Sequence, residues 1–235
     1  FSEKYLEIIV DHENEKTEKK EVTREEAYKK AAEYKKMKQM QKTQSPNADN
    51  GIDLNSEVGR NEVVTPSWMR LTVWIVHWGN KEYTLYNGFE WLSDPAVTLT
   101  DVIGLTHEGD VSINQNTEML TYRYDRYISD PSNIVDTRTK YYFTAHQKNN
   151  DGYAFKFDIL GSDSGYGVTN NRGHMQYDAV AKPSNFVGQT GAFGHYSHQI
   201  LTSTISIGIG KGSMSVTPGF AFTDAIDCHA NFTIQ

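Results

Sequence analysis

The stretch Ser67-Trp68-Met69-Arg70-Leu71-Thr72-Val73-Trp74-Ile75 decides the fold class of this chain. From Met69 onward apolar side chains occupy every second position, and the positions between them hold polar or aromatic side chains. This period of two predicts a β-strand with one apolar face and one mixed, aromatic face. Gly79-Asn80 then predicts a two-residue turn, and the spacing of Tyr83, Leu85 and Phe89 predicts a return strand.

The same kind of pattern continues through most of the remaining chain. Strand-like segments lie at 110–115, 118–128, 139–147, 153–160, 173–181, 190–209 and 213–234. Asn149-Asn150-Asp151-Gly152 and Lys211-Gly212 each predict a hairpin turn between two of them. Many short strands with no helical period among them predict an all-β antiparallel sandwich or barrel. No repeat of fixed period is visible, which argues against a propeller or a solenoid.

The N-terminal segment has a different composition. Residues 1–45 hold 11 basic and 10 acidic residues, whereas residues 46–235 hold 12 basic and 20 acidic ones. Thr23-Arg24-Glu25-Glu26 matches a capping box and predicts a helix that runs to about Lys42 and either docks on the body or stays partly ordered. We therefore expect a charged helical arm or pro-segment at 1–45, a linker at 46–64 and a β-sandwich domain at 65–235.

Overall composition excludes some partners and favours one location. The net charge of −7 argues against nucleic acid, because binding to phosphates needs clustered Lys and Arg. The single cysteine, Cys228, excludes an intramolecular disulfide, and no apolar run is long enough to span a bilayer as a helix. The chain begins with Phe1 and not with Met, so we expect that a leader was removed, by export or by trimming. Export would place the protein outside the cell or on its surface.

Four segments resemble a group of uncharacterised secreted β-rich proteins of Gram-positive bacteria. They are Ser67–Thr72, Phe89-Glu90-Trp91-Leu92, Asp101-Val102-Ile103-Gly104-Leu105 and Tyr153-Ala154-Phe155-Lys156-Phe157-Asp158. The resemblance covers roughly residues 65–235. It implies export and a β fold, and it implies no activity.

Several clusters of reactive side chains are candidates for enzyme chemistry. His195 and His198 share one side of a helix at their spacing, but in a strand they face opposite sides. His107-Glu108-Gly109-Asp110 is typical of a turn, and Cys228 is typical of a small buried residue because its neighbour His229 points to the other face. No motif of a nucleophile, a metal site or a phosphate-binding loop is present. We therefore expect no cofactor and no metal. An exported hydrolase is the least favoured of three functional hypotheses for this chain, and the other two are binding functions.

Two other features favour binding functions. The first hypothesis is a non-enzymatic exported protein that contacts a cell-surface glycan or protein through aromatic side chains on its sheet. Its candidate ligand-binding residues are Trp68, Trp74, Trp78, Trp91, Tyr122 and Tyr124. The alternative is a pore-forming or membrane-active protein that inserts a hairpin around residues 200–217, where apolar and small polar residues alternate. The apolar residues of that hairpin are Ile205, Ile207, Ile209, Met214 and Val216.

Overall fold

The computed structural model describes residues 1–11, 16–44, 64–95, 97–182, 187–200, 204–217 and 226–234. Most of these residues lie in antiparallel strands, and one helix is present among them. In chain order the elements are β1 (Ser2–Asp11), β2 (Lys16–Val22), α1 (Arg24–Gln44), β3 (Val64–Gly79), β4 (Glu82–Trp91), β5 (Thr100–His107), β6 (Val111–Ile113), β7 (Met119–Tyr127), β8 (Ile134–Tyr142), β9 (Gln147–Asn149), β10 (Gly152–Asp158), β11 (Ser162–Asp163), β12 (Tyr166–Ala181), β13 (Gly188–Ser197), β14 (Ser206–Gly210), β15 (Ser213–Thr217) and β16 (Ile226–Ile234).

The strands form three sheets. A nine-stranded sheet has the order β2-β1-β3-β4-β12-β7-β8, and β6 and β11 also pair with β12. A five-stranded sheet has the order β16-β13-β5-β10-β9, and β14 pairs with β15 as a separate two-stranded sheet. The described strands leave the large sheet open at β2 and β8. The prediction of an antiparallel β fold is therefore confirmed, and the arrangement is sandwich-like rather than a closed barrel.

The core lies between the two larger sheets. Their facing side chains form one apolar cluster, to which the large sheet contributes Ile8, Met69, Leu71, Leu85, Phe89 and Met175, and the five-stranded sheet contributes Ile103, Leu105, Phe155, Tyr196 and Ile226. Removing a side chain of this size from water stabilises the fold by about 1.5–3 kcal/mol. The period of two that was visible at Met69, Leu71 and Val73 places all three on this buried face.

The first part of the N-terminal segment is not helical, which corrects the expectation of a helical arm. β1 pairs with β3 from Ser2↔Val73 to Asp11↔Val64, and it carries Leu6, Ile8 and Val10 into the core. β2 pairs with β1 and consists mostly of Lys and Glu. Charged side chains protect the edge of a sheet from pairing with other chains, so the composition of an edge strand can look like that of a solvated helix.

The predicted helix does form after Thr23, and it docks on the body. The Glu26 amide donates to Thr23 Oγ1 over 3.2 Å, as the capping box requires. Ala27 and Ala31 pack into a second apolar cluster with Tyr5 and Trp68, on the outer face of the large sheet. The linker prediction at 46–64 falls almost entirely outside the described residues.

Candidate functional site

The β14–β15 hairpin lies against the outer face of the five-stranded sheet. Its apolar side chains all contact this sheet, where Val102 and Ala154 form the other half of a third apolar cluster; the contacting hairpin residues are Ile205, Ile207, Ile209, Met214 and Val216. Its other face consists only of glycine, serine and threonine residues, which are largely exposed. The alternation seen in the sequence therefore corresponds to one docked face and one solvent face.

Few specific contacts hold this hairpin in place. Met214 is its one buried side chain, and its Sδ lies 2.5 Å from the position that a Cβ on Gly104 would take, so the absence of a side chain at Gly104 makes room for Met214. Lys156 Nζ donates to the Ile205 carbonyl over 2.9 Å, and Asn149 Nδ2 donates to the Ile209 carbonyl over 2.8 Å. Among the described residues, no strand ladder joins the hairpin to the sheet beneath it.

A hydroxyl, an imidazole and a carboxylate are aligned on this same sheet. His195 Nδ1 lies 2.6 Å from Asp227 Oδ1, and His195 Nε2 lies 2.8 Å from Thr106 Oγ1. Because a carboxylate only accepts, His195 Nδ1 donates to Asp227, and Nε2 shares a second hydrogen bond with the Thr106 hydroxyl. Thr106 and His195 have no exposed surface, so no substrate reaches this hydroxyl in the described state. This Thr106–His195–Asp227 relay links β5, β13 and β16, and no local sequence motif predicts it.

A second buried polar network lies between the sheets. Asp101 accepts hydrogen bonds from the Tyr196 hydroxyl, from His198 Nδ1 at 2.8 Å and from the Gln199 amide at 3.3 Å. Trp91 Nε1 donates to the Tyr196 oxygen over 3.1 Å. Burial and the neighbouring Asp101 raise the pKa of Tyr196 well above its usual value. His195 and His198 thus face opposite sides of the sheet, as their spacing in a strand predicts.

The outer face of the large sheet carries an open groove of about 740 Å³ beside α1. Its wall includes Trp74 and His174, and its polar lining includes Arg70, Arg123, Arg172 and Glu90. The six-membered ring of Trp74 extends over Gly88, where a Cβ would stand 3.0 Å from Trp74 Cζ3. The absence of a side chain at Gly88 therefore lets the indole lean across the sheet and line the groove.

A stacked aromatic pair separates this groove from a smaller one. Trp74 and Tyr86 lie 4.7 Å apart with their planes at 6°. Tyr86 lines a second cavity of about 330 Å³ with Trp78, whose side chain is 65% exposed and whose Nε1 donates to Thr84 Oγ1 over 2.8 Å. Burial raises the pKa of Tyr86, and nearby Asp178 adds to that rise. Both cavities are thus lined in part by the aromatic face that the β3 sequence predicts.

The six aromatic residues predicted to bind ligand are not all on one surface. Trp74 and Trp78 line the outer face of the large sheet, and Trp68 lies on that face under α1, with Tyr34 against its edge. Trp91, Tyr122 and Tyr124 are buried on the inner face. Trp91 pairs with Met69, so the register turns it inward, contrary to the outward orientation expected from the sequence.

The remaining candidate residues show no assembled metal or thiol site. Among the residues that the structure describes, no group of three or more His, Cys, Asp or Glu side chains is arranged to hold a metal. Cys228 is buried, and burial raises the pKa of its thiol. His107 is also buried; its pKa is lowered by burial, although its ring lies 2.6 Å from the Glu108 carbonyl oxygen.

Comparison with known proteins adds little. No family model and no curated protein matches the chain. Among solved structures, a protein described as a pore forming protein aligns over 76% of this chain and 88% of its own, at 9% identity and a TM-score of 0.31. The Clostridium perfringens NetB toxin in its membrane-inserted form aligns over 72% and 90%, at 7% identity and a TM-score of 0.26. Clostridium perfringens delta-toxin aligns over 73% and 78%, at 8% identity and a TM-score of 0.24.

These TM-scores are too low to establish a common fold. In the described part of the chain, no helix is both long and apolar enough to cross a bilayer.

Proposed function

We propose that this is an exported membrane-active protein that inserts the segment around the β14–β15 hairpin into lipid bilayers. The observation that carries the proposal is the docked hairpin itself, a separate two-stranded sheet with one apolar face on the body and one uncharged polar face in water. In a bilayer the apolar face would contact lipid, and the face of small polar residues would line water. The same two faces therefore suit both states.

The sequence around the hairpin has the length that insertion needs. The described strands have five residues each, whereas a strand that crosses a bilayer needs about nine to eleven. In the sequence, apolar residues continue at alternate positions forward to Phe220 and Phe222, and backward Leu201 has the same register as Ile205, with Ser203 between them. Inserted strands of about ten residues would then span roughly 201–210 and 213–222. Pro218 would remove one ladder hydrogen bond from the second strand.

The charge distribution of the segment also fits insertion. Between Ile200 and Thr223 the one residue among Asp, Glu, Lys and Arg is Lys211, and it lies in the turn. A charged side chain on the lipid face at the middle of a bilayer costs about 2–4 kcal/mol, and the cost falls near the interface. Lys211 at the tip would reach the far interface, so neither inserted strand would carry a charge through the hydrocarbon.

The way the hairpin is held makes its release inexpensive. Its dissociation breaks no strand ladder among the described residues, and it exposes apolar side chains of which only Met214 is buried and the others are half-buried. The cost is therefore confined to one apolar contact surface and a few hydrogen bonds to the hairpin's carbonyls. A bilayer offers the same side chains a new apolar environment.

The experiment is dye release from phosphatidylcholine vesicles that contain phosphatidylglycerol, with Ile207→Asp and Ser206→Asp as a matched pair. The two residues are neighbours, but Ile207 is on the docked face and Ser206 is on the exposed one. We expect the protein to release dye, Ile207→Asp to abolish the release and Ser206→Asp to retain it.

Circular dichroism of both variants provides the control, because a fold that survives in each assigns the loss to the lipid face. Release by Ile207→Asp at the rate of the unsubstituted protein, or no release by the unsubstituted protein, would sink the proposal.

A further inference from the structure

The groove on the outer face of the large sheet has the features of a binding site that is separate from the hairpin. It is formed by β3, β4, β7 and β12, whereas the hairpin docks on the five-stranded sheet on the opposite side of the core. Its volume of about 740 Å³ lies in the range of sites that hold small molecules. Ligand binding in this groove can therefore be tested independently of membrane insertion.

The charged side chains of the groove differ in what they bind already. Arg70 Nη2 lies 2.6 Å from Glu90 Oε2, and Arg172 pairs with Asp125, with Nη2 3.0 Å from Oδ1. Arg123 is exposed and has neither a hydrogen bond nor an ion pair with a described residue. Two of the three guanidinium groups that line the groove are thus paired with carboxylates, and among the described residues Arg123 is the one left to bind an anionic group.

His174 adds a polar but uncharged side chain to the groove. Burial lowers the pKa of His174, and repulsion from Arg123 lowers it further. The ring is therefore neutral at pH 7 and acts as an uncharged wall with a polar edge. Its centroid lies 5.9 Å from that of Trp74, so the two rings form a corner of the groove.

The aromatic wall indicates what carries the anionic group. One face of Trp74 is covered by Tyr86, and the indole also lines the groove. An indole surface at the edge of a polar groove stacks against the C–H face of a pyranose ring. Glu90 and Thr72 also line the groove and offer oxygen acceptors for sugar hydroxyls.

We infer that this groove binds an acidic sugar, a pyranose ring that carries a carboxylate. The carboxylate pairs with Arg123, the ring stacks on Trp74, and the hydroxyls hydrogen-bond to Glu90 and Thr72. Tight bidentate pairing between a guanidinium and a carboxylate gives the site its preference for acidic over neutral sugars.

Isothermal titration with a glucuronate-containing tetrasaccharide tests this inference, with the methyl ester of the same tetrasaccharide as the matched neutral probe. We expect the acid to bind at least about tenfold more tightly than the ester, as the loss of one charged pair implies. Arg123→Gln should lower the affinity for the acid to that for the ester, and Trp74→Ala should weaken both by about tenfold.

Two exposed side chains on β8 supply matched controls, Lys140→Gln for the arginine and Tyr141→Ala for the tryptophan, and both should bind as the unsubstituted protein does. Ile207→Asp should also bind normally, which separates this site from the hairpin. Equal affinity for acid and ester, unchanged binding by Arg123→Gln, or binding of inorganic phosphate in place of both sugars would overturn the inference.

Discussion

The two outer faces of the sandwich are both covered in part, but the covering elements are attached in different ways. α1 follows β2 after a single residue, and it adds an ion pair to its apolar contacts with the sheet, with Lys30 Nζ 3.1 Å from Glu7 on β1. The β14–β15 hairpin rests on the other face through aliphatic side chains and two hydrogen bonds from the body to its carbonyls.

A covering element can therefore be fixed or removable, depending on the type of contact that it makes with the sheet beneath it. Burying the Glu7 carboxylate would be costly without Lys30, so the helix and its partner strand depend on each other. The apolar face of the hairpin has no such dependence, because any apolar surroundings serve it equally.

The largest effect is expected at Asp101, at the centre of the network between the sheets. Asp101→Ala leaves the Tyr196 hydroxyl, His198 and the Gln199 amide without their buried acceptor. We expect the free energy of unfolding in urea to fall by about 3 kcal/mol or more. Asp158→Ala, at an exposed position on β10, should lower it by less than about 1 kcal/mol. Similar losses for the two variants would remove this network from the account.

Two methionines separate the core from the hairpin. Met175 is buried between the two larger sheets, and Met214, on β15, is buried between the hairpin and the five-stranded sheet. Met175→Ala should lower the global free energy of unfolding by about 3 kcal/mol. Met214→Ala should leave it nearly unchanged and instead speed amide hydrogen exchange in β14 and β15 by roughly thirtyfold, the equivalent of about 2 kcal/mol. Exchange that stays slow in Met214→Ala would show that the hairpin is held by more than this contact.

The smallest effect concerns His174 in the groove. Because its pKa in the folded chain is lowered, the unfolded chain takes up the proton first as the pH falls, so His174 reduces stability below about pH 6.5. Arg123→Gln removes one source of repulsion, so the pKa of His174 should rise toward its ordinary value. Titration of the ring by NMR measures this, and Arg138→Gln on β8 is the control. An unchanged pKa in Arg123→Gln would contradict the electrostatic description of the groove.

The parts of the fold that follow local rules were predictable. The alternation at Met69, Leu71 and Val73 predicts both a strand and its buried face, and the capping box at Thr23 predicts the start of α1. The turns at Asn149–Gly152 and Lys211-Gly212 also join paired strands, as predicted. Each of these features depends on neighbours within a few residues, which is the range over which sequence patterns act.

The parts that depend on distant pairing were not predictable. β2 has the composition of a solvated helix because it is an edge strand, and the inward orientation of Trp91 depends on its pairing with Met69. The relay of Thr106, His195 and Asp227 joins three strands that are distant in sequence. The groove likewise needs Arg123 and His174 beside Trp74, which only the order of the strands provides.

A reversible cross-link tests whether the hairpin must leave the sheet before the protein permeabilises a membrane. Met214 Sδ lies 2.5 Å from the position that a Cβ on Gly104 would take, so Gly104→Cys with Met214→Cys should form a disulfide that holds the hairpin on the sheet. We expect the oxidised double variant to release no dye from vesicles, reductant to restore release, and each single variant to release dye under both conditions. Release by the oxidised protein as fast as by the reduced protein would contradict the account.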